Sequence, residues 1–313
     1  MKGRCLLWCA VLFPVLICEY VTGQDPVSVL EWQADAKYLG KKAKSAIRHG
    51  RIDVGRTYLK ASLEILGQYR PILTNPPCHE VSEDDLAYGR HQFSQFLKDR
   101  PCVSELASRA GFFKLKQWAI RQFAGESSGG RVRWSKRTSH LGFYNVGACD
   151  PTPGSDGSVK TIFVSDFLWT RDHNTGAAIV TPIPAEHVWS VLVYELQNIL
   201  NRRRYVQLRR DAMAGRISSD EYVHGIVELE LPAVALTLKH YADVYLPFVK
   251  MSGTKTIPEL WYLDELGWAR DAKHVLLIHE RKTDRWPWRM ERHYRVLRSR
   301  GAVPSGDNCK RPF

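Results

Sequence analysis

Glu186, His187, Glu195, His224 and Glu228 are carboxylates and imidazoles that fall close together in the chain, between positions 186 and 228. Paired carboxylates can act as general acid and base, and imidazole adds a titratable nitrogen that also binds metal. On a helical wheel Glu195 lies on the seam between an apolar and a polar side, beside Val188, Val191 and Ile199. A carboxylate so placed is half-buried and needs a partner or takes a raised pKa, which makes Glu195 the candidate catalytic group. Tyr194 and Asn198 flank it and complete the candidate cluster. His224 and Glu228 stand at i and i+4, a spacing that suits either two metal donors or a simple ion pair. The ion pair is the plainer reading.

Two helices must hold these side chains. From Ala185 to Asn201, the apolar residues Val188, Trp189, Leu192, Val193, Leu196, Ile199 and Leu200 recur on one side. Glu186, His187, Ser190, Tyr194, Gln197, Asn198 and Asn201 take the other, which reads as facing solvent. The helix should continue to Ala214 and stop at Gly215. Ser218-Ser219-Asp220-Glu221 is a capping box that opens a second helix, expected to kink near Pro232 and to run to about Val249. The two make an αα-hairpin over 185–250. Antiparallel packing within it would set Glu195 opposite Glu228.

Tyr194-Glu195-Leu196-Gln197-Asn198 resembles the His-Glu-x-x-His helix of the gluzincin branch of the zincin metallopeptidases. The resemblance spans these residues alone. It implies Glu195 in the position of the water-activating base, Tyr194 and Asn198 in the two zinc-ligand positions, and a third ligand glutamate on the next helix, where Glu228 lies. Tyrosine is a rare zinc ligand and an asparagine amide a poor one. The resemblance therefore implies a scaffold that has lost its metal and its hydrolysis, and no metal or cofactor is expected.

The 313 residues carry a formal charge of +12, with ordinary hydrophobic (44%) and charged (25%) fractions, so a folded chain is expected beyond its termini. Lys2 and Arg4 precede an apolar run from Cys5 to Cys18, and Val21-Thr22-Gly23 offers a small residue before Gln24. That is the pattern of a cleaved secretory signal over 1–23, giving a secreted or periplasmic protein; an uncleaved anchor is the alternative. Cleavage removes two cations and Glu19, lowering the charge from +12 to +11. Cys78, Cys102, Cys149 and Cys309 remain. In an exported protein they suggest two disulfides, with Cys78–Cys102 and Cys149–Cys309 preferred because one bridge then stays local.

The fold class read from these patterns is α+β, mainly helical. An N-terminal helical region covers 24–126, with helices over 27–49, 53–70, 83–98 and 103–124 and a lysine-rich solvent face holding Lys37, Lys41, Lys42, Lys44 and Arg48. An α+β domain covers 127–313, packed with the first region as one unit. Within it a small central antiparallel or mixed sheet (about 131–184) packs on the αα-hairpin, with strands expected at 132–134, 140–146, 160–165 and 177–181. The C-terminal part holds Trp261, Trp268, Trp286 and Trp288, and 281–300 reads as a basic helix with Met290, Tyr294 and Leu297 as its buried stripe. Its cations Arg281, Lys282, Arg285, Arg289, Arg292 and Arg295, interleaved with tryptophan, suit a polyanion. An acidic polysaccharide or a membrane surface fits better than a specific nucleic acid.

These features point first to an exported, non-catalytic binding or scaffold protein. A zincin-like hydrolase or its inactive relative is the second reading, and polyanion binding through the C-terminal segment the third.

Overall fold

A computed structural model describes residues 26–69, 78–136, 147–150, 160–171, 178–269, 271–281 and 286–301. The segment 1–23 read as a signal, the strand expected at 140–146, Lys282, Arg285 and Cys309 lie outside the described residues.

Helices α1 (Pro26–Arg48) and α2 (Ile52–Tyr69) form a hairpin whose turn uses Gly50 at φ 74, a left-handed conformation natural to glycine. Ser62 donates to the carbonyl of Ala36 across the pair at 2.6 Å. The lysine-rich face is less simply solvated than expected. Lys44 (3.0 Å) and Arg48 both reach Glu259, fastening the hairpin to a distant turn.

Helix α3 (Glu83–Asp99) starts at Ser82, where hydroxyl and Asp85 carboxylate satisfy each other's backbone N–H groups. Bonds from Ser82 and Arg131 hold the Asp85 pKa down at about 2. The single helix expected over 103–124 is instead two, α4 (Pro101–Ala107) and α5 (Phe112–Ala124), with Gly111 at φ 83 between them. α3 and α5 meet at Gly89, where an added Cβ would lie 2.2 Å from the Ile120 carbonyl oxygen. Gly89→Ala should therefore push the two backbones apart and cost about 1–3 kcal/mol in urea unfolding.

Cys78 and Cys102 are free thiols, so the expected local bridge does not form. The reason is the length of α3. Its 17 residues separate Cys78, before the helix, from Cys102, after it, and such a helix is about 25 Å long, far beyond disulfide reach.

The fold is mainly helical with little sheet; of the antiparallel or mixed sheet expected, the antiparallel form is not borne out, since one strand pair runs parallel. β1 (Val132–Trp134), β2 (Gly147–Asp150) and β3 (Lys160–Val164) are ordered β1-β3-β2. β1 runs parallel to β3, with Val132 opposite Lys160, and β2 runs antiparallel to it, with Cys149 opposite Ile162. β4 (Phe167–Arg171) and β5 (Ala178–Pro182) form a separate two-stranded ribbon. Alternation of residue types marks a strand without giving its direction. Here the long connection after β1 permits the crossover that a parallel pair needs. The buried guanidinium of Arg100 ties α4 to β3, donating to the Val164 carbonyl at 2.6 Å and lying over the Trp134 ring.

Helix α6 (Ala185–Asn198) is followed by a 3-10 turn (Ile199–Asn201) and α7 (Arg202–Ala214), which ends at Gly215 with φ 72. α8 (Ser219–His240) begins with the expected capping box at Ser218 and continues helical through Pro232. A π-helical turn (Tyr241–Tyr245) then leads into α9 (Leu246–Ser252). A second 3-10 turn (Pro258–Trp261), α10 (Ala272–Arg281) and α11 (Trp286–Gly301) complete the described chain.

The main core draws on residues from Ala36 to Trp268, hence on both halves of the chain. Trp189 of α6 sits at its centre, edge-on to Phe93 at 6.3 Å and to Phe112 at 5.8 Å.

Candidate functional site

α6 has neighbours on every side: α4, α5, α8, β2, β3 and the 3-10 turn at 258–261. Its polar side is accordingly not the solvent face that the wheel suggests. Glu186, Ser190, Glu195, Gln197 and Asn198 are all buried together with the apolar residues. Buried polar groups demand partners, so the chemistry of α6 is a question of what each group meets.

Glu186 meets three donors from the segment after α9. The Thr256 hydroxyl donates to it, the Ile257 backbone N–H donates at 3.1 Å, and the Trp261 indole N–H donates at 2.8 Å. Trp261 is itself fully buried, in contact with Tyr241 (4.8 Å) and Tyr245 (4.4 Å). Burial raises the Glu186 pKa, and the three donors oppose that rise. His187, next to it, is pushed down by burial and stays neutral near pH 7.

A second polar group gathers at the other end of α6. The Tyr194 and Tyr262 rings lie 5.3 Å apart, and each phenol lies within the field of both Glu195 and Glu230. Tyr205 donates its hydroxyl proton to Asn198 Oδ1 at 3.1 Å. Burial first, then these carboxylates, holds the Tyr194 pKa well above the usual range, so its phenol remains protonated. Glu230 retains some exposed surface as a residue, yet its carboxyl is desolvated enough to bring its pKa up to about 8. Tyr262 holds this position in a left-handed backbone at φ 60, which is uncommon for a residue with a Cβ.

The cluster expected from sequence is thus divided. Glu195, Tyr194 and Asn198 do share a buried site. Glu186 and His187 belong to the other end of the helix. His224 and Glu228 face water and pair with each other at 3.3 Å, the simpler of the two readings of that spacing. The glutamate of α8 that reaches this tyrosine site is Glu230, not Glu228. Two residues along a helix is about 200° of rotation, enough to exchange the inner face for the outer. A signal for this was present, since Glu230 is four residues from Ile226 and from Val234, both inward apolar positions. Tyr205, Thr256, Trp261 and Tyr262 come from segments whose proximity to α6 no local pattern announces.

The zincin-like positions do not suit zinc. A tyrosine must ionise to ligate well, and burial opposes that at Tyr194. The Asn198 oxygen is engaged by Tyr205. Among the described residues no group of three His, Cys, Asp or Glu is arranged to hold a metal ion.

His240 is a further residue that the sequence reading missed. It is 4% exposed, lies 4.1 Å from the Trp118 ring and 6.0 Å from Trp261, and finds no hydrogen-bond partner among the described residues. Burial lowers its pKa to about 3, so the imidazole is neutral.

The basic segment is a real helix, α11, with its expected stripe turned inward. Leu297 is fully buried, and Met290, Tyr294 and Trp286 pack around it on Tyr205, Tyr222 and Ile226. Arg281 stands 3.9 Å from Glu265 and Arg289 is half-buried, whereas Arg292 and Arg295 are exposed. Of the four C-terminal tryptophans, Trp261 and Trp268 are core residues and Trp286 is half-buried, while Trp288 is 50% exposed with the Arg292 guanidinium 5.8 Å from its ring.

No described helix is long and apolar enough to cross a membrane. Comparison with known protein families, with curated proteins and with solved structures finds nothing that matches this chain.

Proposed function

We propose that the protein is an exported, non-catalytic binding protein in which α6 is an internal brace and binding is left to the outer surface. The observation that carries this reading is the engagement of Glu186 by the Thr256 hydroxyl, the Ile257 amide and the Trp261 indole. With three protein donors, gathered mainly on Oε1, this buried carboxylate is engaged in fixing the 253–261 segment against the core. The same economy holds at Asn198, whose amide oxygen serves Tyr205. Export is supported by the apolar run after Lys2 and Arg4 and by the small residues before Gln24.

Metal analysis of the purified mature chain, with melting curves recorded in the presence and absence of chelator, tests the reading. The expected result is no stoichiometric zinc and an unchanged melting temperature. One zinc per chain, or a chelator-dependent loss of stability, would return α6 to the hydrolase reading and remove this one.

A further inference from the structure

We infer that the adjacent helices α7 and α11 form a docking surface for a linear acidic polysaccharide. The inference narrows the binding-protein reading by naming a surface and a partner.

α7 lies against α11, and their C-terminal ends meet where Arg298 donates to the Met213 carbonyl at 3.2 Å. On α7, Arg203 and Arg210 are seven residues apart and share one exposed stripe. On α11, Trp288, Arg292 and Arg295 share another, at the i, i+4, i+7 spacing of one helix face. Among the described residues none of these four arginines has an acidic partner, in contrast to Arg216, which is paired with Asp211 at 2.5 Å. Each of the two packed helices therefore presents an exposed row of guanidinium groups, with a flat indole on the α11 row.

Three observations select the partner. The rows run along helices, so the complementary ligand is a rod of repeated negative charge rather than a single anion. The apolar stripe of α11 (Met290, Tyr294 and Leu297) is already committed to the core, leaving the helix no apolar face to sink into a bilayer. Trp288 is the one exposed aromatic ring among the described side chains of α7 and α11, whereas single-stranded nucleic acids are held by successive stacked bases. A polysaccharide bearing carboxylate or sulfate groups needs no such ladder. Guanidinium forks bind its anions in pairs, and one ring can cover one sugar face.

The mature chain is passed over immobilised heparin across a salt series. Its affinity is then measured in solution for heparin, for polygalacturonate, for a single-stranded oligonucleotide of matched length and for phosphatidylserine vesicles. R203Q/R210Q and R292Q/R295Q should each elute at lower salt, and the slope of log affinity against log salt should fall by about one per arginine removed. Trp288→Ala should weaken binding by about threefold. K37Q/K41Q, which removes the same charge from an exposed part of α1, should elute like the parent protein. Equal loss in K37Q/K41Q, or oligonucleotide or vesicle binding as tight as polysaccharide binding, overturns the inference. A zinc-free protein that ignores both polysaccharides overturns it too, yet leaves the binding-protein reading standing. Stoichiometric zinc with normal retention does the reverse.

Discussion

Glu186→Ala is expected to be the most damaging single substitution on α6, lowering the unfolding free energy by about 3–5 kcal/mol. The effect has two sources. The Thr256 hydroxyl, the Ile257 amide and the Trp261 indole each lose an acceptor. Trp261 and Thr256 have little alternative, because Trp261 is fully buried among Tyr241, Tyr245 and His240, and Thr256 is already bonded to the Tyr241 hydroxyl. The missing carboxyl also leaves a small void beside a packed indole. Glu186→Gln keeps one oxygen acceptor and most of the volume, and should cost about 1–2 kcal/mol. Urea unfolding of the three proteins at neutral pH gives the comparison. A loss below about 1 kcal/mol in the alanine variant would mean that the brace contributes nothing net beyond the burial cost of its charge.

Glu230 is expected to make the protein less stable as pH rises from mildly acid to mildly alkaline. Its folded pKa of about 8 lies above the ordinary value of 4.5, because burial penalises the ionised carboxyl. The folded state therefore holds a proton that the unfolded state has already released. The corresponding stability is fully present below about pH 4.5 and is lost progressively until the pH passes the folded value. The shift corresponds to at most about 5 kcal/mol, and about 2–4 kcal/mol once water reaching the partly exposed residue is allowed for.

Glu230→Gln removes this dependence and should be the more stable protein at about pH 8.5, with little difference at about pH 5. Other groups titrate over the same range. His187 and His240 have lowered pKa values, so their contribution is present above the ordinary histidine pKa and is lost as pH falls. They act equally in both proteins, and the difference between the two unfolding curves isolates Glu230. Parallel pH profiles would show that its carboxyl is ionised in the folded state.

How far the sequence could be read depended on whether a property was local. The apolar spacing of 185–201 identified α6, Gly215 marked the end of α7, and Ser218 with Glu221 marked the start of α8. Each of these is decided within a turn or two of chain. The burial of Ser190, Gln197 and Asn198 was not legible, because a wheel separates polar from apolar without counting the neighbours that will surround a helix. The exchange of Glu228 for Glu230 has the same origin. Both carboxylates were visible, and only the packing of α8 chose which one turned inward. The Cys78–Cys102 bridge failed for a different reason, since closeness in number was taken for closeness in space across the rigid length of α3.

The wide turn at Tyr241–Tyr245 has a bearing on how this chain tolerates changes of length. A π-helical turn accommodates one residue more than an α-helix would, with the surplus absorbed locally instead of being passed along the rod. Deleting a residue there would tighten the coil to the usual pitch and leave α8 in phase with its neighbours. α9 would keep its phase too, with Phe248 and Val249 holding the buried positions they now occupy, and the cost would fall on the contacts of the turn itself.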